Sequence, residues 1–167
     1  MITSKVSSEN VEMETSNETG GERSESIRVL IVDDSEDDAF LLIRYLTRGG
    51  FELTWTRVDT EPALIKAMQD QTWDIILSDF SMPRFNGLEA LRVIRERNFS
   101  MPVILVSGAI GEEIAVEAIK AGAQDYVLKD NLTRLVPSVE RSLREAQNRQ
   151  ARVQAEMALQ ESQARLL

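Results

Sequence analysis

The chain has 167 residues and a formal net charge of −9, with 43% hydrophobic, 28% charged and 5% aromatic residues. A core takes ~100 to 150 residues to build, so there is room for one domain with appendages and not for two. With no Cys and no His, the chain has no disulfides, thiolate nucleophiles, imidazole bases, Cys or His metal ligands, or phosphohistidine of its own.

Residues 1–26 carry six Glu against Lys5 and Arg23 and only isolated Val6, Val11 and Met13. They bury too little apolar surface to offset the entropy of ordering and read as a disordered acidic leader. The expected domain core, 27–139, opens on the run Val29-Leu30-Ile31-Val32, followed by Ile75-Ile76-Leu77, Val103-Ile104-Leu105-Val106 and Tyr126-Val127-Leu128. Runs this short, β-branched and apolar on both faces suit parallel strands covered by helices on each side. Glu52 to Val58 alternates more weakly, as an edge strand does.

Helical patterns lie between the strands. Phe40, Leu41, Ile43, Tyr45 and Leu46 precede Gly49-Gly50; Ala63, Leu64, Ala67 and Met68 follow Pro62; Leu88, Leu91, Val93 and Ile94 follow Gly87; Ile114, Val116, Ala118 and Ile119 stop at Gly122. Carboxylates at Glu61 and Glu112-Glu113 suit helix starts. Five strand-helix units in about 115 residues are too few for an eight-fold barrel, which leaves a doubly wound open parallel α/β sheet.

The last helix is expected from a cap at Asn131 and a first-turn Pro137. From Pro137 onward no Gly or Pro interrupts the chain to Leu167. Val139, Leu143, Ala146, Gln150, Val153, Met157, Gln160, Ala164 and Leu167 form a heptad seam weakened by two Gln and two Ala. Residues 140–167 thus read as an extension of the fifth helix, a coiled-coil or linker that pairs with a second copy or leads into a further domain. Arg141, Arg144, Arg149 and Arg152 are interleaved with Glu140, Glu145 and Gln. That describes a solvated helix face, and no nucleic-acid partner is expected. No apolar run approaches 18 residues, so no membrane span is expected, and the cysteine-free chain reads as cytoplasmic.

Chemistry collects at the strand ends. The first strand runs into Asp33-Asp34, the third into Ser78-Asp79, the fourth into Ser107-Gly108 and the fifth into Lys129-Asp130. In an open parallel sheet the carboxyl ends of the strands carry the site. If these strands are neighbours, three carboxylates, a hydroxyl and an ammonium converge. Close carboxylates raise one another's pKa unless a cation sits among them, and an all-oxygen set suits Mg²⁺ or Mn²⁺. Lys129 beside such a cation would neutralise an anionic ligand, for which phosphoryl oxygens are the natural candidate. Singly, each acid also reads as a turn former or helix cap. The run Asp33-Asp34-Ser35-Glu36-Asp37-Asp38 looks like a calcium loop, but it has Asp38 where glycine is needed and Arg44 where a bidentate Glu is needed. No glycine-rich phosphate loop is present.

These residues resemble the receiver domains of two-component response regulators. The resemblance covers residues 27 to about 145 through Asp33-Asp34, Asp79-Phe-Ser-Met-Pro83 with Asn86-Gly87, Ser107-Gly108-Ala109, and Gly122-Ala-Gln-Asp-Tyr126-Val-Leu-Lys129. It implies a flavodoxin-like strand order 2-1-3-4-5 and an Asp79 that accepts a phosphoryl group from a histidine kinase or phosphotransfer protein. It further implies Mg²⁺ on Asp34, Asp79 and the Ser81 carbonyl, with Asp33 acting through water, and Ser107 and Lys129 on the phosphoryl oxygens. On residue type alone Tyr126 is an amphipathic aromatic at a strand edge; the resemblance makes it a switch partner of Ser107. Asp130 departs from the family's usual proline, which is commonly joined to Lys by a cis bond. A cis bond costs ~3 to 4 kcal/mol before a non-proline residue, so a trans bond is expected here.

The expected function is therefore a phosphoacceptor signalling module without separate substrate turnover. A phosphorylation-independent interaction module of the same fold is the alternative. A Mg²⁺-dependent phosphohydrolase would need an acid/base and a substrate cap that the sequence does not offer. The terminal helix resembles linkers that lead into sensory PAS domains, so a downstream domain after Leu167 is expected.

Overall fold

The computed structural model describes residues 24–108 and 111–166. Most of the expected acidic leader, Ala109 and the last seam residue Leu167 lie outside the described residues.

Five strands, β1 (Glu25–Val32), β2 (Phe51–Val58), β3 (Ile75–Asp79), β4 (Val103–Ser107) and β5 (Asp125–Leu128), alternate with α1 (Glu36–Arg48), α2 (Glu61–Asp70), α3 (Gly87–Glu96), α4 (Glu112–Lys120) and α5 (Leu135–Arg165). The sheet is all parallel in the order β2-β1-β3-β4-β5. This is the flavodoxin-like arrangement expected from the sequence. β1 begins at Glu25, two residues before the apolar run at Ile27.

Alternation along the strands fills two cores. Leu30, Val32, Ile76, Val103 and Leu105 face α2 and α3, with Ala118 of α4 beside them. Ile27, Val29, Ile31, Ile75, Leu77, Ile104, Val106 and Val127 face Ala39, Leu42 and Leu46 of α1 and Leu135, Val139 and Leu143 of α5. Because both faces are covered, the central strands are apolar throughout, while β2, at the edge, keeps exposed positions between its buried ends.

Local signals set the helix starts. The side chains of Ser35, Thr60 and Asn86 accept hydrogen bonds from the main-chain N–H groups of Asp38 (3.2 Å), Ala63 (3.3 Å) and Glu89 (2.9 Å), satisfying first-turn donors that the helix itself leaves open. The expected Asn131 cap is corrected. Lys129–Arg134 forms a 3-10 turn within which Asn131 is non-helical (φ −134°, ψ 62°), and α5 begins at Leu135 with Pro137 in its first turn. No cis peptide occurs among the described residues.

α5 runs for 31 residues, about 46 Å at 1.5 Å per residue. Its buried residues are Leu135, Ser138, Val139, Ser142 and Leu143, so only the early turns lie on the sheet. Asp125 of β5 anchors them, accepting from Ser138 Oγ at 2.5 Å and Arg141 Nη2 at 2.6 Å. The later seam residues Val153 and Met157 are exposed.

Candidate functional site

The sheet register brings the strand ends together as a staircase. Val32 pairs with Ser78, which sets Asp33 abreast of Asp79. Asp79 pairs with Val106, so Ser107 is one step beyond it, and Ser107 pairs with Leu128, which places Lys129 one step further. Each chemical group is thus the residue at which an apolar strand runs out of core.

Carboxylate oxygens of Asp33, Asp34 and Asp79 all lie within 4.8 Å of one another. Asp33 and Asp79 are buried, at 1% and 6% exposure, whereas Asp34 is open to solvent. Local main-chain donors hold the two buried carboxylates: Ser35 N–H donates to Asp33 Oδ1 at 2.9 Å and Ser81 N–H to Asp79 Oδ1 at 3.2 Å. Lys129 Nζ reaches in from the far side, 3.2 Å from Asp79 Oδ2 and 3.4 Å from Asp33 Oδ2. Ser107 is fully buried at the end of β4, and Tyr126 on β5 is partly buried against the α2/α3 core. The approach stays clear at Gly108, where an added Cβ would meet nothing within 4 Å. Gly87 is the opposite case. A Cβ there would sit 2.7 Å from the Asp79 carbonyl oxygen and 2.9 Å from Phe80 Cα, so only glycine lets α3 start this close to the β3 end.

The charge balance is unfavourable without a further cation. Burial, more than neighbouring charge, pushes the Asp33 carboxyl up to about 6; Asp79 and Asp38 add to the rise, while the Ser35 N–H and Lys129 oppose it. The mutual repulsion expected from the sequence is present and is a smaller contribution than burial at Asp33. Burial alone would lower the Lys129 pKa. The hydrogen bond to Asp38 and the pull of Asp33, Asp79 and Asp38 outweigh it, and the net direction is up. The ammonium stays charged, one cation facing a cluster of carboxylates. Hard oxygen donors in this number fit a Mg²⁺-type ion.

Residues 29–140 match the family described as "Response regulator receiver domain". The chain belongs to that family. This receiver domain is 33% identical over 123 residues to the DNA-binding transcriptional regulator NtrC of Escherichia coli (strain K12), a match covering 73% of this chain and 26% of that protein. It is 32% identical over 102 residues to the chemotaxis protein CheY of Thermotoga maritima, covering 61% of this chain and 84% of that one. Among solved structures it is similar to FixJ-N, with a TM-score of 0.62 at 32% identity over 71% of this chain and 94% of that chain. It is also similar to NtrX from Brucella abortus, with a TM-score of 0.69 at 26% identity over 78% of this chain and 29% of that chain. The match thus spans about a quarter of NtrC's length. As a receiver, the chain is a phosphoacceptor of two-component signalling, and receivers bind Mg²⁺ in an acidic pocket such as the one Asp33, Asp34 and Asp79 form here.

Two residues at this site escaped sequence reasoning. Asp38, seen there only as a misfit in a calcium-loop pattern, lies 2.6 Å from Lys129 Nζ. Arg57, on the edge strand, donates to the Asp33 carbonyl oxygen at 3.0 Å and pairs with Glu36 at 3.3 Å and Asp59 at 3.5 Å, bracing the loop that carries Asp33 and Asp34.

Proposed function

We propose that Asp79 is the phosphoacceptor of this receiver, and that it takes its phosphoryl group from a phosphohistidine donor in a Mg²⁺-dependent reaction. The observation that carries this is the placement of Asp79 at the end of β3, buried, with Lys129 Nζ 3.2 Å from one oxygen and the Ser81 N–H 3.2 Å from the other. An Asp79 oxygen attacks phosphorus in line with the P–N bond. That bond breaks, its electron pair returns to the donor imidazole, which takes up a proton, and Asp79 is left as an acyl phosphate. Because these 167 residues have no His, the imidazole belongs to a histidine kinase or phosphotransfer module outside them.

Positioning and charge neutralisation are what such a transfer requires. The Ser81 N–H and the packing of Gly87 against the Asp79 carbonyl fix the nucleophile. Lys129 supplies positive charge to the transferred oxygens, and Ser107, one register step away on β4, offers its hydroxyl to them. Asp34, Asp79 and the Ser81 carbonyl would hold Mg²⁺, with Asp33 acting through water; when bound, the ion neutralises carboxylate and phosphoryl charge together. Phosphorylation then draws Ser107 toward the new group and Tyr126 inward, changing the surface of α4, β5 and α5. Residues 140–167 extend the fifth helix into a dimer seam or a lead into a further domain, and the site operates in the cytoplasm without separate substrate turnover. No helix among the described residues is long and apolar enough to cross a membrane.

Acetyl phosphate with Mg²⁺ should add one phosphoryl group to the wild type and none to Asp79→Asn, which keeps the shape and removes the attacking charge. Intact-protein mass spectrometry reads the result. Incorporation at the wild-type level in the variant would overturn the assignment.

A further inference from the structure

The partner that Lys129 holds most closely is not part of the expected acidic set. Its Nζ lies 2.6 Å from Asp38 Oδ2, against 3.2 Å from Asp79 and 3.4 Å from Asp33. Asp38 stands in the first turn of α1, its main-chain N–H fixed by Ser35 Oγ at 3.2 Å, and its side chain is 42% exposed where those of Asp33 and Asp79 are buried. We propose that Asp38 is a positioning residue that holds Lys129 on the α1 side of the site in the unphosphorylated state and yields it when a phosphoryl group forms on Asp79.

An ammonium has three donors, and here three carboxylates stand within 3.4 Å of it. A phosphoryl oxygen on Asp79 can gain Lys129 only at the expense of one of them. Once Asp79 is an acyl phosphate its charge sits on the phosphoryl oxygens, and Lys129 must follow it away from the other two carboxylates; Asp33 is too buried to recover hydration, so releasing it leaves a desolvated charge without its counter-ion. Asp38 is open to water and can be released at the smallest loss. Its charge also stands among the groups that an incoming phosphoryl anion must approach. Asp38 thus opposes phosphorylation twice, by occupying the lysine and by adding negative charge beside it.

This proposal rests on Asp79 being the acceptor, and its test separates the two. Beryllium fluoride, an anion of phosphoryl shape, is titrated at saturating Mg²⁺ into the wild type, Asp38→Asn, Asp38→Glu and Asp79→Asn. Asp38→Asn should bind about five- to tenfold more tightly, the ratio expected from losing one partly exposed charge-assisted contact. Asp38→Glu, which restores the charge, should return toward wild type, a rescue that a merely structural role for Asp38 would not produce. Binding by Asp38→Asn that is equal to or weaker than wild type, with Asp79→Asn inert, overturns the role of Asp38 alone. Undiminished binding by Asp79→Asn overturns the acceptor assignment, and the role of Asp38 with it.

Discussion

Replacing Asp33 with asparagine should stabilise the metal-free protein while removing its response to metal. Asp33 is 1% exposed, and burial holds its carboxyl at about 6 instead of 3.8. At about 1.4 kcal/mol per tenfold change in proton affinity, that rise corresponds to about 3 kcal/mol of destabilisation when the group is ionised. The carboxamide of the Asp33→Asn variant has the same shape and can still accept from the Ser35 N–H, and the attraction of Lys129 3.4 Å away, which it loses, is already counted in the net rise. The expected gain at neutral pH without metal is therefore about 3 kcal/mol, or about 9 to 15 °C in Tm. The sign with pH follows from linkage. The folded-state pKa lies above the unfolded one, so between 3.8 and about 6 the folded protein binds more protons. Stability from this group is highest at low pH and is lost as pH rises through about 6. From about pH 7 to pH 5 the metal-free wild type should gain about 1.3 kcal/mol from Asp33 and the variant nothing from this position. Saturating Mg²⁺ should abolish the wild type's gain, because the ion favours the ionised form. Urea unfolding at the two pH values, in EDTA and in Mg²⁺, measures all of this. Equal pH slopes in the two proteins, or a metal-free variant less stable than wild type, would refute the reasoning.

Lys129→Ala should weaken beryllium fluoride binding by at least about tenfold while leaving Mg²⁺ affinity unchanged or tighter, since the ammonium repels the metal and attracts the anion; a large loss of Mg²⁺ affinity in a calorimetric titration would contradict its placement. Gly87→Ala should cost about 1 to 3 kcal/mol by forcing a methyl against the Asp79 carbonyl and Phe80 Cα, and a Tm within about 1 °C of wild type would show that α3 has room to retreat. The exposed seam on α5 predicts a dimer of modest affinity that is lost when the chain ends at Gln147. Sedimentation with and without beryllium fluoride checks it, and monomers at both lengths in both states would leave the helix as a linker docked elsewhere.

The strand ends were legible because each functional residue is the first or second polar one after an apolar run, as at Val32-Asp33, Leu77-Ser78-Asp79 and Leu128-Lys129. The order of the strands was not legible from periodicity, since Val29–Val32 and Val103–Val106 carry no mark of which run lies beside which; the family motifs supplied it. Asp38 was missed because its role depends on the capping of α1 by Ser35 and on the staggered end of β5, 91 positions away in the chain. The start of α5 was misplaced because Asn131 is a good cap by residue type, while the 3-10 turn that displaces it is set by how Leu132 and Leu135 drop into the α1/α5 core. Ser138 and Ser142 were invisible beside the heptad seam, yet they occupy the face of α5 that touches the sheet.

The continuity of α5 has a mechanical meaning. From Leu143, its last buried residue, to Arg165 the helix continues for 22 residues without a glycine or proline to act as a joint, a rod of about 33 Å. A stiff rod clamped at one end magnifies angle into distance: a tilt of about 5° in the clamped turns carries the far tip by about 3 Å, roughly half a helical pitch. The clamp is made by Asp125, Ser138 and Arg141, and Asp125 is the residue next to Tyr126. Any rearrangement at the end of the sheet that tilts these turns would thereby be geared up to displacements large enough to make or break side-chain contacts some 30 Å away.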